Sequence, residues 1–349
     1  MSASLVVRAP LAWLGPDRLE RDAAVIVERG LVSYAGPASE APEPAEGQQI
    51  DVDGFLMPAV ADRHVHIGLG DPAAVLLRGV TAVRDLGWPA DIIFPLADAS
   101  ELPTYNGPLV RAVGPMLTAP GGYPTRDKWA IPGTGLEVHD PEEAERAVQM
   151  LAGRGAAGIK VSLNAAAGPT MADADLAAIC SVAAEVRLPV IAHVEGAGQV
   201  ERALGAGVKE LAHTPWTERL SDAIVETLAK RTRIVSTLDI QSFGGDTPEL
   251  RTAIDNLRRF HEAGGVVLYG TDLGNGPVPP GVDLREVFLL REAGLGAEAI
   301  VRAMVRGPLE RTAPGDLIAI GSNPFEELEA FGDVRLIVRG GRVVHAASP

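Results

Sequence analysis

The chain's 349 residues, 46% of them hydrophobic and 22% charged, supply enough apolar material for one large domain or two smaller ones. Its 31 lysines and arginines against 46 acidic residues give a net charge of −15, which excludes nucleic acid and anionic membrane surfaces as expected partners. A single cysteine, Cys180, rules out an intrachain disulfide.

Residues 1–8 lack the basic start and long apolar core of a signal peptide, and no later stretch is apolar enough to span a membrane. A soluble, cytoplasmic protein is expected. Short strands and turns are predicted before Gly54, over residues 4–8, 23–28 and 31–35, with Arg29-Gly30 as a tight turn. Residues 41–47 form a Pro/Glu-rich loop. The far end repeats this texture over residues 316–320 and 334–338, with a hairpin turn at 339–342. These two β-rich ends predict a small composite β-sandwich built from residues 1–56 and 317–349.

Between them strands and helices alternate. Strands are predicted over residues 57–66, 80–85, 109–114, 158–163, 189–194, 210–214, 233–237 and 266–272. A helix is expected from Asp140 as N-cap with Pro141 at the first helical position, and another runs over 248–263 into Gly264-Gly265. Cys180 falls in a helical stretch as an inert buried thiol. Eight strand–helix units over residues 57–316 match a (β/α)8 TIM barrel, whose active sites sit at the C-terminal ends of the strands.

Chemistry-bearing residues gather at those ends. In His64-Val65-His66 the two imidazoles share one face of a strand and can reach one ion. Lys160, His193, His213 and Asp272 stand at the ends of the fourth, fifth, sixth and eighth predicted strands. Lys160 in an apolar segment is costly to bury as a cation. A neutral amine beside metal can instead take up carbon dioxide as a carbamate and bridge two ions. Singly, each has a plainer reading: a core histidine, a turn-capping aspartate, a snorkelling lysine. Jointly they predict a metal site. His139, His261 and His345 read as surface residues.

With these motifs the chain resembles the amidohydrolase superfamily, and within it the imidazolonepropionase-like and Xaa-Pro-dipeptidase-like branch. The resemblance runs through residues 57–66, Gly79 to Gly87, Ile159-Lys160-Val161, residues 192–196, residues 206–213, Gly270 to Gly274 and the tail segments 313–320 and 338–344. It implies two divalent ions, most simply Zn2+, with His64, His66 and Asp272 on one, His193 and His213 on the other, and carboxylated Lys160 between them. It further implies cleavage of an amide, peptide or lactam C–N bond by a metal-bridging hydroxide, with Asp272 as general base and then acid. A small-molecule amide is the implied substrate, and a homodimer or higher homo-oligomer the family-level expectation. A one-metal deaminase or cyclic-imide hydrolase with unmodified Lys160, an ester or lactone hydrolase, and a non-catalytic binding protein are the alternatives.

Two departures from that pattern stand out. Relatives often carry Gly-Gly-His in the third-strand loop, its histidine on the substrate carbonyl; here the segment is Ala119-Pro120-Gly121-Gly122-Tyr123. The Tyr123 hydroxyl can donate to an oxyanion in its place, or the ring is a pocket wall. The short link from His66 to Val80 predicts a more open mouth on that side. The loop after the third strand carries Arg126, Lys128 and Trp129, a basic pair beside aromatics that would hold a substrate carboxylate or else a solvated loop. Trp88, Trp216 and Phe243 follow barrel strands and either line an apolar pocket or pack loops onto the barrel.

Overall fold

The computed structural model describes residues 4–43, 47–242 and 244–347, so parts of the Pro/Glu-rich loop and Phe243 lie outside the described residues. In chain order the first strands are β1 (Ser4–Gly15), β2 (Arg18–Glu28), β3 (Leu31–Pro37), β4 (Gly47–Asp51) and β5 (Phe55–Pro58). A middle group follows: β6 (Val60–Val65), β7 (Val80–Asp85), β8 (Leu109–Ala112), β9 (Met116–Thr118), β10 (Gly135–Glu137), β11 (Ile159–Asn164), β12 (Val190–Glu195), β13 (Glu210–Leu211), β14 (Arg233–Val235) and β15 (Val266–Leu268). The last are β16 (Leu317–Ile320), β17 (Val334–Arg339) and β18 (Arg342–Ala346).

Strands from both ends of the chain join one sheet, ordered β18-β17-β16-β5-β1-β2-β3, with β4 also paired to β1. The side-chain alternation of a strand divides this sheet's apolar residues between two cores. Leu56, Leu317 and Leu336 join Val7 and Val25 on one side, while Phe55, Met57, Ile318 and Ile337 face the main core.

The predicted strand over 57–66 is two strands. Phe55–Pro58 pairs antiparallel with Leu317–Ile320, Pro58 has no amide hydrogen to extend the ladder, and at Ala59 the chain crosses into the middle group. There the strands run parallel in two sheets, β6-β7-β8 and β10-β9-β11-β12-β13-β14-β15. Backbone bonds link the two sheets on both sides. Arg63 N–H donates to Tyr269 O at 3.0 Å, and Asp272 N–H to His64 O at 2.8 Å. Across the other seam, Ala157 N–H donates to Ala112 O at 2.8 Å.

Helices fill most of the connections, on signals present in the sequence. Asp140 caps Pro141–Gly153, its carboxylate accepting Glu143 N–H at 2.8 Å, and Thr247 caps Pro248–Glu262. Cys180 lies in the helix Asp173–Glu185, half-buried rather than fully enclosed, with its thiol pushed up to about 11 by burial. His139 is exposed and pairs with Glu143 at 2.8 Å. Among the described residues no helix is long and apolar enough to cross a membrane. Between the strands, the fully buried Glu210 carboxylate is held by Arg84 and by Arg233 at 3.2 Å, so that charge is paired inside.

Candidate active site

The end of β6 and the segment after β15 are clasped together. Asp62 is buried, and its Oδ1 accepts the amides of His64 at 3.0 Å and Thr271 at 3.2 Å. Its Oδ2 accepts the Thr271 hydroxyl at 2.6 Å. Between these segments there is no room for a side chain at Gly270, where a Cβ would run into Val235 and stand 3.0 Å from His64 N. Asp272 itself adopts φ 61°, a left-handed backbone that aspartate tolerates better than most residues.

This clasp sets three donor atoms facing one another. His64 Nδ1 lies 2.8 Å from Ala212 O and His66 Nδ1 lies 3.1 Å from Gly87 O. Each Nδ1 therefore carries a hydrogen and donates it to a carbonyl. Burial, then the Lys160 charge, holds His64 well below the usual imidazole pKa, so its ring is neutral and Nε2 offers a lone pair. The two Nε2 atoms stand 3.2 and 3.3 Å from Asp272 Oδ1. Burial raises the Asp272 carboxyl, and positive charge among the imidazoles of His64, His66 and His213 lowers it. Ligand atoms of His64, His66 and Asp272 all lie within 4.8 Å of one another. Converging lone pairs at this spacing repel unless a cation joins them, so the donor set fits a divalent metal.

The other three predicted ligands lie alongside. The His213 ring is 4.5 Å from that of His64 and 5.0 Å from that of His193. His213 Nδ1 sits 2.9 Å from Thr237 Oγ1, which orients the ring. His193 Nε2 stands 3.3 Å from both Glu195 Oε2 and Asn164 Nδ2. Lys160 is fully buried on β11, and its Nζ has no hydrogen-bond partner among the described residues. Burial brings its ammonium down to about 7, Asp272 opposing the fall, so a large share of the amine is neutral at neutral pH.

All six predicted ligands line one cavity of about 530 Å3. Tyr123, Trp129 and Trp216 line it too. The Tyr123 ring stacks on His193 at 5.0 Å and 23°, and Trp129 lies 4.7 Å from the His66 ring. Burial, then the Asp272 charge, pushes the Tyr123 hydroxyl far up, so it is a neutral donor. Arg126, Lys128 and Trp88 do not line the cavity. Arg126 is exposed, its guanidinium lying over Gly121 where a Cβ would strike it, and Lys128 is exposed to solvent. Trp88 is buried against Gly68 and packs the loop, the second of its two expected roles.

Sequence reasoning missed the polar residues around the donors. Asn164, through its hydrogen bond to Glu195 at 2.6 Å, and Asn275, which donates to Asp272 Oδ1 at 3.0 Å, fix side chains at the site. Asp127, Glu195 and Glu249 add carboxylates to the lining. Glu195 and Asn164 end strands beside ligands, a signal that was available; Asp127 and Glu249 sit in a loop and a helix start and gave none.

No protein-family model matches the chain. Over 421 aligned positions it is 26% identical to ochratoxinase of Aspergillus niger, covering 97% of this chain and 86% of that protein. An uncharacterised protein of Mycobacterium bovis is likewise 26% identical, over 86% of this chain and 88% of its own length. Among solved structures, a Xaa-Pro dipeptidase with methionine bound in its active site superposes with a TM-score of 0.83 at 21% identity, covering 99% of this chain and all (100%) of that one. The A. niger ochratoxinase structure gives 0.84 at 21%, covering 99% and 96%. A crystal structure described as an amidohydrolase gives 0.85 at 21%, covering 99% and 100%. The chain has the fold of the amidohydrolase superfamily. Its structural neighbours with that fold include a Xaa-Pro dipeptidase and ochratoxinase.

Proposed function

We propose that this protein is a metal-dependent hydrolase of an amide-type C–N bond in a small molecule. The observation that carries the reading is the convergence of His64 Nε2, His66 Nε2 and Asp272 Oδ1, each presenting a lone pair to the others. Relatives named for Xaa-Pro dipeptides and for ochratoxin favour hydrolysis. On this reading the two linked parallel sheets make a (β/α)8 barrel over residues 57–316. The terminal strands make a small sandwich domain over residues 1–56 and 317–349.

His64, His66 and Asp272 would hold one ion, His193 and His213 a second, with Lys160, carboxylated on Nζ, shared between them. Divalent ions bound there, zinc being the simplest choice for such nitrogen and oxygen donors, supply Lewis acidity toward water and the scissile carbonyl. Asp272, ionised, takes a proton from the attacking water and returns it to the departing nitrogen as the C–N bond breaks. Asn275 steadies the carboxylate for that exchange. Tyr123, protonated and stacked on His193, donates its hydroxyl to the carbonyl oxygen as charge develops there.

One observation favours a second reading, a one-metal deaminase or cyclic-imide hydrolase. His64, His66 and Asp272 form the compact triad, whereas His193 Nε2 is engaged by Glu195 and Asn164. The test is a hydrolysis screen over N-acyl amino acids, dipeptides, lactams and aminopyrimidines with zinc-loaded protein, chelator-treated protein and Asp272→Asn. Turnover that chelation abolishes and zinc restores, at two ions per chain, is the expected result. One ion per chain selects the second reading. Protein that binds no divalent metal under any loading condition ends both.

A further inference from the structure

The charge around the cavity runs opposite to that needed for a carboxylate ligand. Asp127, Glu195 and Glu249 line it, and Lys160, buried near the start of β11, is the one cationic side chain lining it among the described residues. The basic neighbours of Asp127 face solvent while Asp127 itself borders the cavity. Among the described residues neither Asp127 nor Glu249 has a cationic partner within 4.0 Å. Asp127 and Glu195 are close enough to disturb each other: burial and then the Glu195 charge raise the Asp127 carboxyl. Trp129 and Trp216 flank the imidazoles with their rings, the latter 5.7 Å from His193.

These acids are not an isolated surface cluster. Lys160 Nζ and His64 Nε2, both almost wholly buried and without a hydrogen-bond partner, border the same cavity. The cavity therefore presents the Asp127 and Glu249 carboxylates, neither with a cationic partner, together with Glu195 and two aromatic side chains, alongside the donors. Carboxylates together with aromatic faces recognise ammonium and guanidinium groups. An overall charge of −15 adds attraction for cations and repels anions.

We propose that the substrate is a cationic amide, whose ammonium or guanidinium group sits among Asp127, Glu195 and Glu249 beside Trp129 and Trp216, and which has no free carboxylate next to the scissile bond. That an amide is cut rests on the function proposed above; the charge preference rests on the cavity lining alone.

Binding and turnover separate the two. Calorimetric titration of metal-loaded protein with phenethylguanidinium and with its near-isosteric neutral phenethylurea compares charge at constant shape, with a phenethylsulfonate as the anionic control. The guanidinium is expected to bind at least about tenfold more tightly than the urea, and Asp127→Asn or Glu249→Gln each to shrink that ratio about threefold to fivefold. Both side chains are solvent-accessible, so neither variant endangers the fold. Equal binding of guanidinium and urea, tighter binding of the sulfonate, or a ratio unmoved in both variants overturns the proposal. In parallel, kcat/KM is measured on lysyl, glutaminyl and glutamyl anilides, with the lysyl compound expected to lead. Turnover led by the glutamyl compound overturns the charge preference and leaves the hydrolase standing. Selective guanidinium binding with no anilide, peptide or lactam turnover supports the charge preference and removes the hydrolase.

Discussion

Asp62 and Thr271, far apart in the chain, are joined by a 2.6 Å hydrogen bond from the threonine hydroxyl to a buried carboxylate. One lies two residues before His64 and the other directly precedes Asp272, so this bond sets the spacing of the candidate ligands. Asp62→Ala leaves the Thr271 hydroxyl and two buried amides without their acceptor and is expected to cost about 3 kcal/mol of stability. Asp62→Asn, which keeps one acceptor oxygen, should recover part of it. Urea unfolding with zinc analysis of the folded protein checks this; an alanine variant as stable as the parent, with its metal intact, refutes it.

Thr237 orients His213 through a 2.9 Å contact to Nδ1 and does so at φ 42°, an uncommon backbone for a β-branched residue. Thr237→Val keeps the branching and the backbone strain but loses the oxygen. Metal affinity or activity should fall about tenfold to a hundredfold. Competition against a zinc-binding dye measures it. Unchanged affinity and unchanged turnover would reduce the contact to simple packing.

Lys160 presents an unpartnered buried amine, and the bridging role proposed for it is open to chemical rescue. Lys160→Ala should lower turnover at least about a hundredfold. Added acetate or propionate, able to enter the space left by the side chain, should restore part of the loss. Full activity of the alanine variant at one ion per chain would exclude a bridging lysine.

Glu286 gives a pH signature away from the ligands. Burial pushes its carboxyl from the ordinary 4.5 up to about 8, while it accepts the Asp239 amide at 2.7 Å. A raised folded-state value means that the folded chain keeps a proton the unfolded chain releases. This group's contribution is therefore complete at low pH and is lost as pH climbs from about 4.5 toward about 8. Glu286→Gln removes that slope. The melting temperature of the variant should gain on the parent between about pH 6 and about pH 8.5. A difference that stays constant over this range contradicts the assignment.

Much of this arrangement was legible in the sequence because strand periodicity and strand ends are local. His64 and His66 share a face through alternation alone, and His193, His213 and Asp272 each follow an apolar run, whereas Lys160, expected at the end of its strand, stands near the start of β11; all six line one cavity. Strand β7 falls on its predicted bounds for the same reason. Loop side chains were not legible. Nothing local tells Asp127, which borders the cavity, from Arg126, which folds back over Gly121, because tertiary contacts set their directions. The break at Ala59 was hidden because the apolar run of residues 55–61 passes straight across it. Only the distant partner Leu317–Ile320 distinguishes its two halves. Asp62, the centre of the clasp, reads in isolation as an ordinary polar residue before a histidine.

The pairing of Phe55–Pro58 with Leu317–Ile320 also imposes an order on biosynthesis. The segment leading into His64 and His66 leaves the ribosome early, yet its neighbour on that edge emerges only after roughly 250 further residues have been added. At translation speeds of about 5–20 residues per second, that is a wait of roughly 12–50 s. Throughout that interval the hydrophobic edge Phe55-Leu56-Met57, entirely covered in the finished protein, has lost one flank and offers itself to chaperones and to other nascent chains.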